Sequence, residues 1–153
     1  MITCTFAGHR TVLDPDIDRK IDRALSELLQ KGEKLVFLSG GMGEFDQRCE
    51  SAVRALKRAA PGADITLLLI LPYMTNRINT EKDYYDRQYD DVIFPDELTG
   101  LHYKVAIGKR NRWMAEQADV VLSFVRYDHG GAYDMVRYAR KIGKRILNMA
   151  DAS

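Results

Sequence analysis

Three glycines in four positions, Gly40, Gly41 and Gly43, lie in "LSGGMGEFD" (38–46), between an apolar run and an amphipathic one. A second pair, Gly130 and Gly131, follows His129 in "RYDHGGA" (126–132). A backbone without Cβ lets an anion reach its N–H groups, and a helix start adds free donors and partial positive charge. The chemistry suggested is the holding of a phosphate. Arg10, in "AGHR" (7–10), is either a guanidinium fork for that phosphate or a solvated surface arginine. "GKRNR" (108–112) puts three cations, Arg110 among them, at an expected helix start. The helix dipole disfavours them there, so either a bound anion compensates or they form a solvated basic face.

Two carboxylates follow the first glycine loop. Asp46 is suited to accept from a ribose hydroxyl or base edge, or simply to complement the helix dipole. Glu44 has the same two readings, with the dipole role favoured. The candidate ligand-binding residues are Gly8, His9 and Arg10 in the first loop and Ser39, Gly40, Gly41, Gly43 and Asp46 around the second. Arg110, Asn111, Gly130 and Gly131 complete the set. The loops match neither a P-loop, since no G-K-[ST] follows, nor a G-x-G-x-x-G. His9 and His129 read as hydrogen-bonding loop residues rather than bases. No Ser-His-Asp order, paired-carboxylate site or metal-ligand set stands out, and no cofactor is expected.

These residues need elements to carry them. "ITCTF" (2–6), "KLVFLS" (34–39), "DITLLLILP" (64–72), "DVIF" (91–94), "DVVLSFV" (119–125) and "RILNM" (145–149) read as strands. Helical periodicity runs from Asp14, an expected N-cap, through Ile17, Ile21, Ala24, Leu25 and Leu28. A second stripe runs Phe45, Cys49, Ala52, Val53, Leu56, Ala60, and a third Ala132, Met135, Val136, Ala139, Ile142. Residues 108–118 read as helix and 95–107 as loop. The polar segment 73–90, with Tyr84, Tyr85 and Tyr89, covers a sheet edge or a dimer surface, or forms a lid. Alternating strands and helices predict a single-domain Rossmann-like three-layer α/β/α fold. Its mostly parallel, doubly wound sheet has five or six strands. In such sheets ligands bind beyond the carboxyl ends of the strands, where the glycine loops fall.

Composition narrows the function. The 153 residues are 46% hydrophobic and 29% charged with net charge +1, as expected for one globular domain. A near-neutral chain has no global field to hold it on nucleic acid or anionic lipid. The longest apolar run, "LLLILP", is too short for a membrane span, and "MITCTFAG" lacks the features of a signal peptide. Cys4 and Cys49 fit buried structural thiols, and a reducing cytosol is the expected compartment.

"CTFAGHR", "LSGGMGEFDQRCESAV", "LLLILP", "KRNRWMAEQADVVLSFV" and "GGAYDMVRYARKIGKRI" together resemble the SLOG superfamily, in order and over nearly the whole chain. That group includes the Lonely Guy phosphoribohydrolases and the DNA-processing protein A (Smf) proteins, and the YpsA-like branch is the most similar. The resemblance implies a Rossmann-like fold, a nucleotide or nucleotide-derived ligand, and a homodimer. The Lonely Guy pattern has an Arg, a Met four residues on, then P-G-G-x-G-T-x-E after a strand. Arg110, Met114, Gly130 and Gly131 match it. His129, Tyr133 and Asp134 replace the Pro, the third Gly and the Thr, and Val136 stands where the catalytic Glu would be. Valine can neither stabilise an oxocarbenium-like centre nor activate water. A nucleotide-binding or sensing module is therefore the first expectation. The alternative is an N-glycoside hydrolase with a non-standard acid, from Asp134, Glu44 or Asp46. DNA binding, as in the DNA-processing relatives, is disfavoured by the charge and the short length.

Overall fold

Apolar residues at strand and helix periods bury two separate faces of one sheet. In the computed structural model, which describes residues 1–150, the strands are β1 (Ile2–Gly8), β2 (Leu35–Ser39), β3 (Ile65–Ile70), β4 (Asp91–Ile93), β5 (Val120–Phe124) and β6 (Arg145–Asn148). All pair in parallel, in the order β4-β3-β2-β1-β5-β6. The chain builds outward from β1 to β4, then returns to build β5 and β6 on the other side. The reversal falls between β1 and β5, where a crevice opens at the carboxyl ends of the strands.

Helices α1 (Ile17–Leu29) and α2 (Glu44–Ala59) cover one face. Ile17, Ile21, Leu25, Phe45, Cys49 and Val53 pack there against Cys4, Phe6, Phe37 and Leu122. Two short helices, α3 (Arg77–Thr80) and α4 (Lys82–Gln88), precede β4. Helices α5 (Tyr103–Gln117) and α6 (Gly131–Lys141) cover the opposite face. Met114, Ala115, Met135, Val136 and Ala139 meet Ala7, Leu38, Ile70 and Val121. Two layers of helix thus enclose a sheet buried on both sides, as an all-parallel sheet requires. Both sheet edges are short, three residues in β4 and four in β6.

Two expectations need correction. Helix α1 starts at Ile17, with Asp16 at its N-cap. Asp14 instead closes the preceding turn, accepting from the Asp16 N–H at 2.9 Å and pairing with Lys20 at 2.7 Å. Helix α5 starts at Tyr103, five residues before the expected boundary, its first turn capped by His102 accepting from Lys104 N–H. Arg110 therefore lies mid-helix, and the argument from cations at a helix start does not apply to it. The polar segment 73–90 holds two short helices with no buried residue in either. Cys4 and Cys49 are buried, and burial pushes both thiols far above their ordinary range. Among the described residues, no helix is long and apolar enough to cross a membrane.

Candidate functional site

The loop after β1 is pinned on both sides. His9 N–H donates to the Phe124 carbonyl at the end of β5, and His9 Nε2 accepts from Arg126 N–H at 2.9 Å. Glu44 N–H donates to the Arg10 carbonyl, and Val12 N–H donates to Glu44 Oε1 at 3.0 Å. A Cβ on Gly8 would lie within 2.4 Å of Phe45 Cβ, Cγ and Cδ2, so β1 and α2 approach this closely there only because residue 8 is glycine. The accepting Nε2 puts the proton of the neutral His9 ring on Nδ1. Burial, then the nearby His129 and Arg126, lower the His9 pKa and favour that neutral form.

Beyond this loop lies a cleft of about 340 Å³ between β1, α2, α5 and the start of α6. Gly8, His9, Arg10, Asp46, Arg110, Asn111, Gly130 and Gly131 all line it, so eight of the sequence-derived candidates converge at the topological switch point. Arg10 is exposed, and its guanidinium makes no ion pair among the described residues. The rings of His9, Tyr127 and His129 follow one another along the rim, His9 tilted against Tyr127 at a centroid distance of 4.7 Å and Tyr127 stacked on His129 at 5.7 Å.

Arg110 is only 2% exposed. It reaches from α5 under the glycine loop and donates to the Gly40 carbonyl at 3.2 Å and the Ile70 carbonyl at 2.8 Å, tying the ends of β2 and β3 together. Burial lowers its pKa to about 10, so it stays charged at neutral pH. Asp46 is buried in the first turn of α2. Its Oδ2 accepts from Met42 N–H at 3.2 Å, while Oδ1 has no hydrogen-bond partner among the described residues. Burial raises the Asp46 pKa to about 7, against the opposing pull of the Met42 N–H and Arg110. A half-satisfied buried carboxylate on a cleft wall is a ready acceptor for a donor from a bound molecule.

The other candidates lie elsewhere. Ser39 donates to Glu50 Oε2 at 2.5 Å and accepts from Gly41 N–H, and Tyr89 also donates to Glu50. Gly40 and Gly41 line a separate cavity of about 340 Å³ with Tyr73, Tyr84, Tyr85 and Tyr89. A Cβ on Gly43 would lie 2.8 Å from the Arg10 Cα. Glu44 has both oxygens engaged, by Val12 N–H and by Arg48 at 2.7 Å, and these donors hold its pKa down. Asp134 is exposed in a neighbouring groove between α5 and α6. Val136 is buried against the sheet, so no carboxylate faces the cleft from that position. Met42, Tyr127 and Met135 line the cleft without having been expected there. Their positions in glycine-bearing loops could have flagged Met42 and Tyr127, while nothing local marked Met135. Among the described residues no three His, Cys, Asp or Glu side chains are grouped to hold a metal.

By sequence the chain matches no protein-family model and no curated protein. Its structure is similar to that of DNA processing protein A from Helicobacter pylori, described for its single-stranded DNA binding mode, with TM-score 0.63 and 19% identity. That likeness covers 95% of this chain and 63% of the other. What it shows is a shared fold. A structural-genomics target known as TM1055 is similar over 95% of this chain and 72% of its own, with TM-score 0.58 and 21% identity. The molybdenum cofactor carrier protein of Chlamydomonas reinhardtii is similar over 97% and 76%, with TM-score 0.56 and 13% identity. DNA processing protein A from Streptococcus pneumoniae, at TM-score 0.62 and 17% identity, is covered over 52% of its length. The chain thus spans between half and two thirds of the two DNA-processing proteins.

Proposed function

We propose that this chain is a SLOG-type, YpsA-like protein of the cytosol that binds a nucleotide or nucleotide derivative in the cleft between β1 and β5. The observation that carries the reading is Asp46, which lines that cleft and whose buried Oδ1 has no hydrogen-bond partner among the described residues. An acceptor in that state calls for a donor, and a ribose hydroxyl or base N–H supplies one. The phosphate would rest on Gly130, Gly131 and the first N–H groups of α6, with the free Arg10 guanidinium as counter-charge. The His9, Tyr127 and His129 rings offer an aromatic face for the base. The similarity in fold to a molybdenum cofactor carrier is compatible with a holding role, as is the absence of a carboxylate at Val136.

Calorimetric titration with nucleoside monophosphates tests the reading. Oδ2 is held by Met42 N–H, so Asp46→Asn presents an NH2 where Oδ1 was, turning an acceptor into a donor. It should weaken binding by about tenfold or more. An unchanged affinity would remove Asp46 from the site, and no binding by the wild type would sink the reading. Release of free base, abolished by Asp134→Asn, would instead establish the N-glycoside hydrolase. Salt-dependent binding of single-stranded DNA without nucleotide binding would favour a role like that of the Helicobacter protein.

A further inference from the structure

The cleft continues into a second hollow of about 460 Å³ between α5 and α6. Ile107, Asn111, Gly131 and Met135 line both, so the junction lies at the first residue of α6. Arg112 on α5 faces Arg137 and Lys141 on α6 across this groove. None of the three makes an ion pair among the described residues. Arg112 lies over the Tyr138 ring, 4.7 Å from its centroid, which holds the guanidinium at the groove wall. Asp134 is the one carboxylate in the lining, leaving a surplus of positive charge. A second observation points the same way. Gly108 sits inside α5, where glycine costs about 1 kcal/mol against alanine. Its Cβ position meets nothing within 4 Å, so no packing among the described residues calls for a glycine there, and its absent side chain keeps the groove open.

We propose that this groove is a subsite for a second phosphate, so that the ligand of the cleft is a nucleoside diphosphate or a diphosphate-linked dinucleotide. The inference rests on the nucleotide reading of the cleft. A first phosphate at Gly131 stands at the junction, and the next in the chain enters the field of Arg112, Arg137 and Lys141. In the dinucleotide case Asp134 is placed to accept from the hydroxyls of the second sugar.

The test is calorimetric titration with AMP, ADP and P1,P2-diadenosine diphosphate, and with the guanosine, cytidine and uridine mono- and diphosphates. The preferred diphosphate should bind about tenfold tighter than its monophosphate, with a steeper salt dependence. The triple variant Arg112→Gln/Arg137→Gln/Lys141→Gln changes exposed residues only and should erase that preference, leaving monophosphate affinity within about twofold. Gly108→Leu should do the same by filling the groove. Tighter binding of the dinucleotide identifies an esterified diphosphate, and tighter binding of the nucleoside diphosphate identifies a free one. Equal affinity for mono- and diphosphate, or a preference that survives the triple variant, overturns the subsite and leaves the cleft reading standing. If no nucleotide binds at all, both fail.

Discussion

Gly43 and Gly130 occupy the same backbone conformation in opposite surroundings. Each is the N-cap of a helix that follows a parallel strand, with φ 87° and ψ 172° at Gly43 and φ 96° and ψ 172° at Gly130. That region of conformational space is open to almost no residue but glycine. Around Gly43 the space is full: Arg10 presses on it from the first loop, Leu69 crowds the neighbouring Gly41, and the Arg110 guanidinium lies against Gly40. Among the described residues a Cβ at Gly130 would meet nothing within 4 Å, and at Gly131 only Asn111 at 3.9 Å. Two loops of similar composition thus do different work. The first lets the loop after β1, strand β3 and a buried arginine close in on it. The second leaves its backbone bare on the cleft.

Substitutions can break this contrast. Gly43→Ala pays backbone strain and a collision with the Arg10 main chain, and should cost about 4 kcal/mol in denaturant unfolding. Gly130→Ala pays the strain alone and should cost about 2 kcal/mol. Equal losses at the two positions would mean that the crowding at Gly43 relaxes freely.

The third test concerns the route by which the first loop reaches the cleft, through Asp46 and its bond from Met42. Burial raises the Asp46 pKa to about 7, above the ordinary value that the unfolded chain restores. Between about pH 4 and pH 7 the folded protein therefore holds a proton that the unfolded chain releases, and stability falls as pH rises through that window. Asp46→Asn should flatten the fall by up to about 1.4 kcal/mol per pH unit, read from denaturation midpoints at pH 5, 6 and 7. Glu50, also raised by burial, keeps its own slope of the same sign. A slope unchanged by Asp46→Asn would show that the carboxylate is solvated in solution. The smallest effect belongs to Gly131→Ala, whose conformation is helical and whose surroundings are open. Stability should move by less than about 0.5 kcal/mol, while monophosphate binding weakens because a methyl then stands over the bare N–H groups.

The sequence exposes strands and amphipathic helices because burial on one side leaves a period. Helix α5 begins out of sight because its first turn buries nothing before Ala106: Tyr103 and Val105 are exposed and its cap is a histidine. Helices α3 and α4 leave no period for the same reason. At the site, the loops and eight of the lining residues were legible because strand ends in a parallel sheet must converge. The division of labour between the two glycine loops was not, since it depends on what packs against each from distant parts of the chain. Arg110 carried two readings, bound anion or solvated face. It is instead an internal tie between Gly40 and Ile70, a role no local pattern encodes.

The brevity of β4 and β6 has a consequence for self-association. A long, flat outer strand offers its unpaired amides to any passing chain, and from there ordered aggregates grow. Here one border offers three residues led by the exposed Asp91, and the other four led by the exposed Arg145. Both are poor templates. Copies of this protein that meet in a crowded cell should therefore join through helix surfaces, and not by extending the sheet from one molecule to the next.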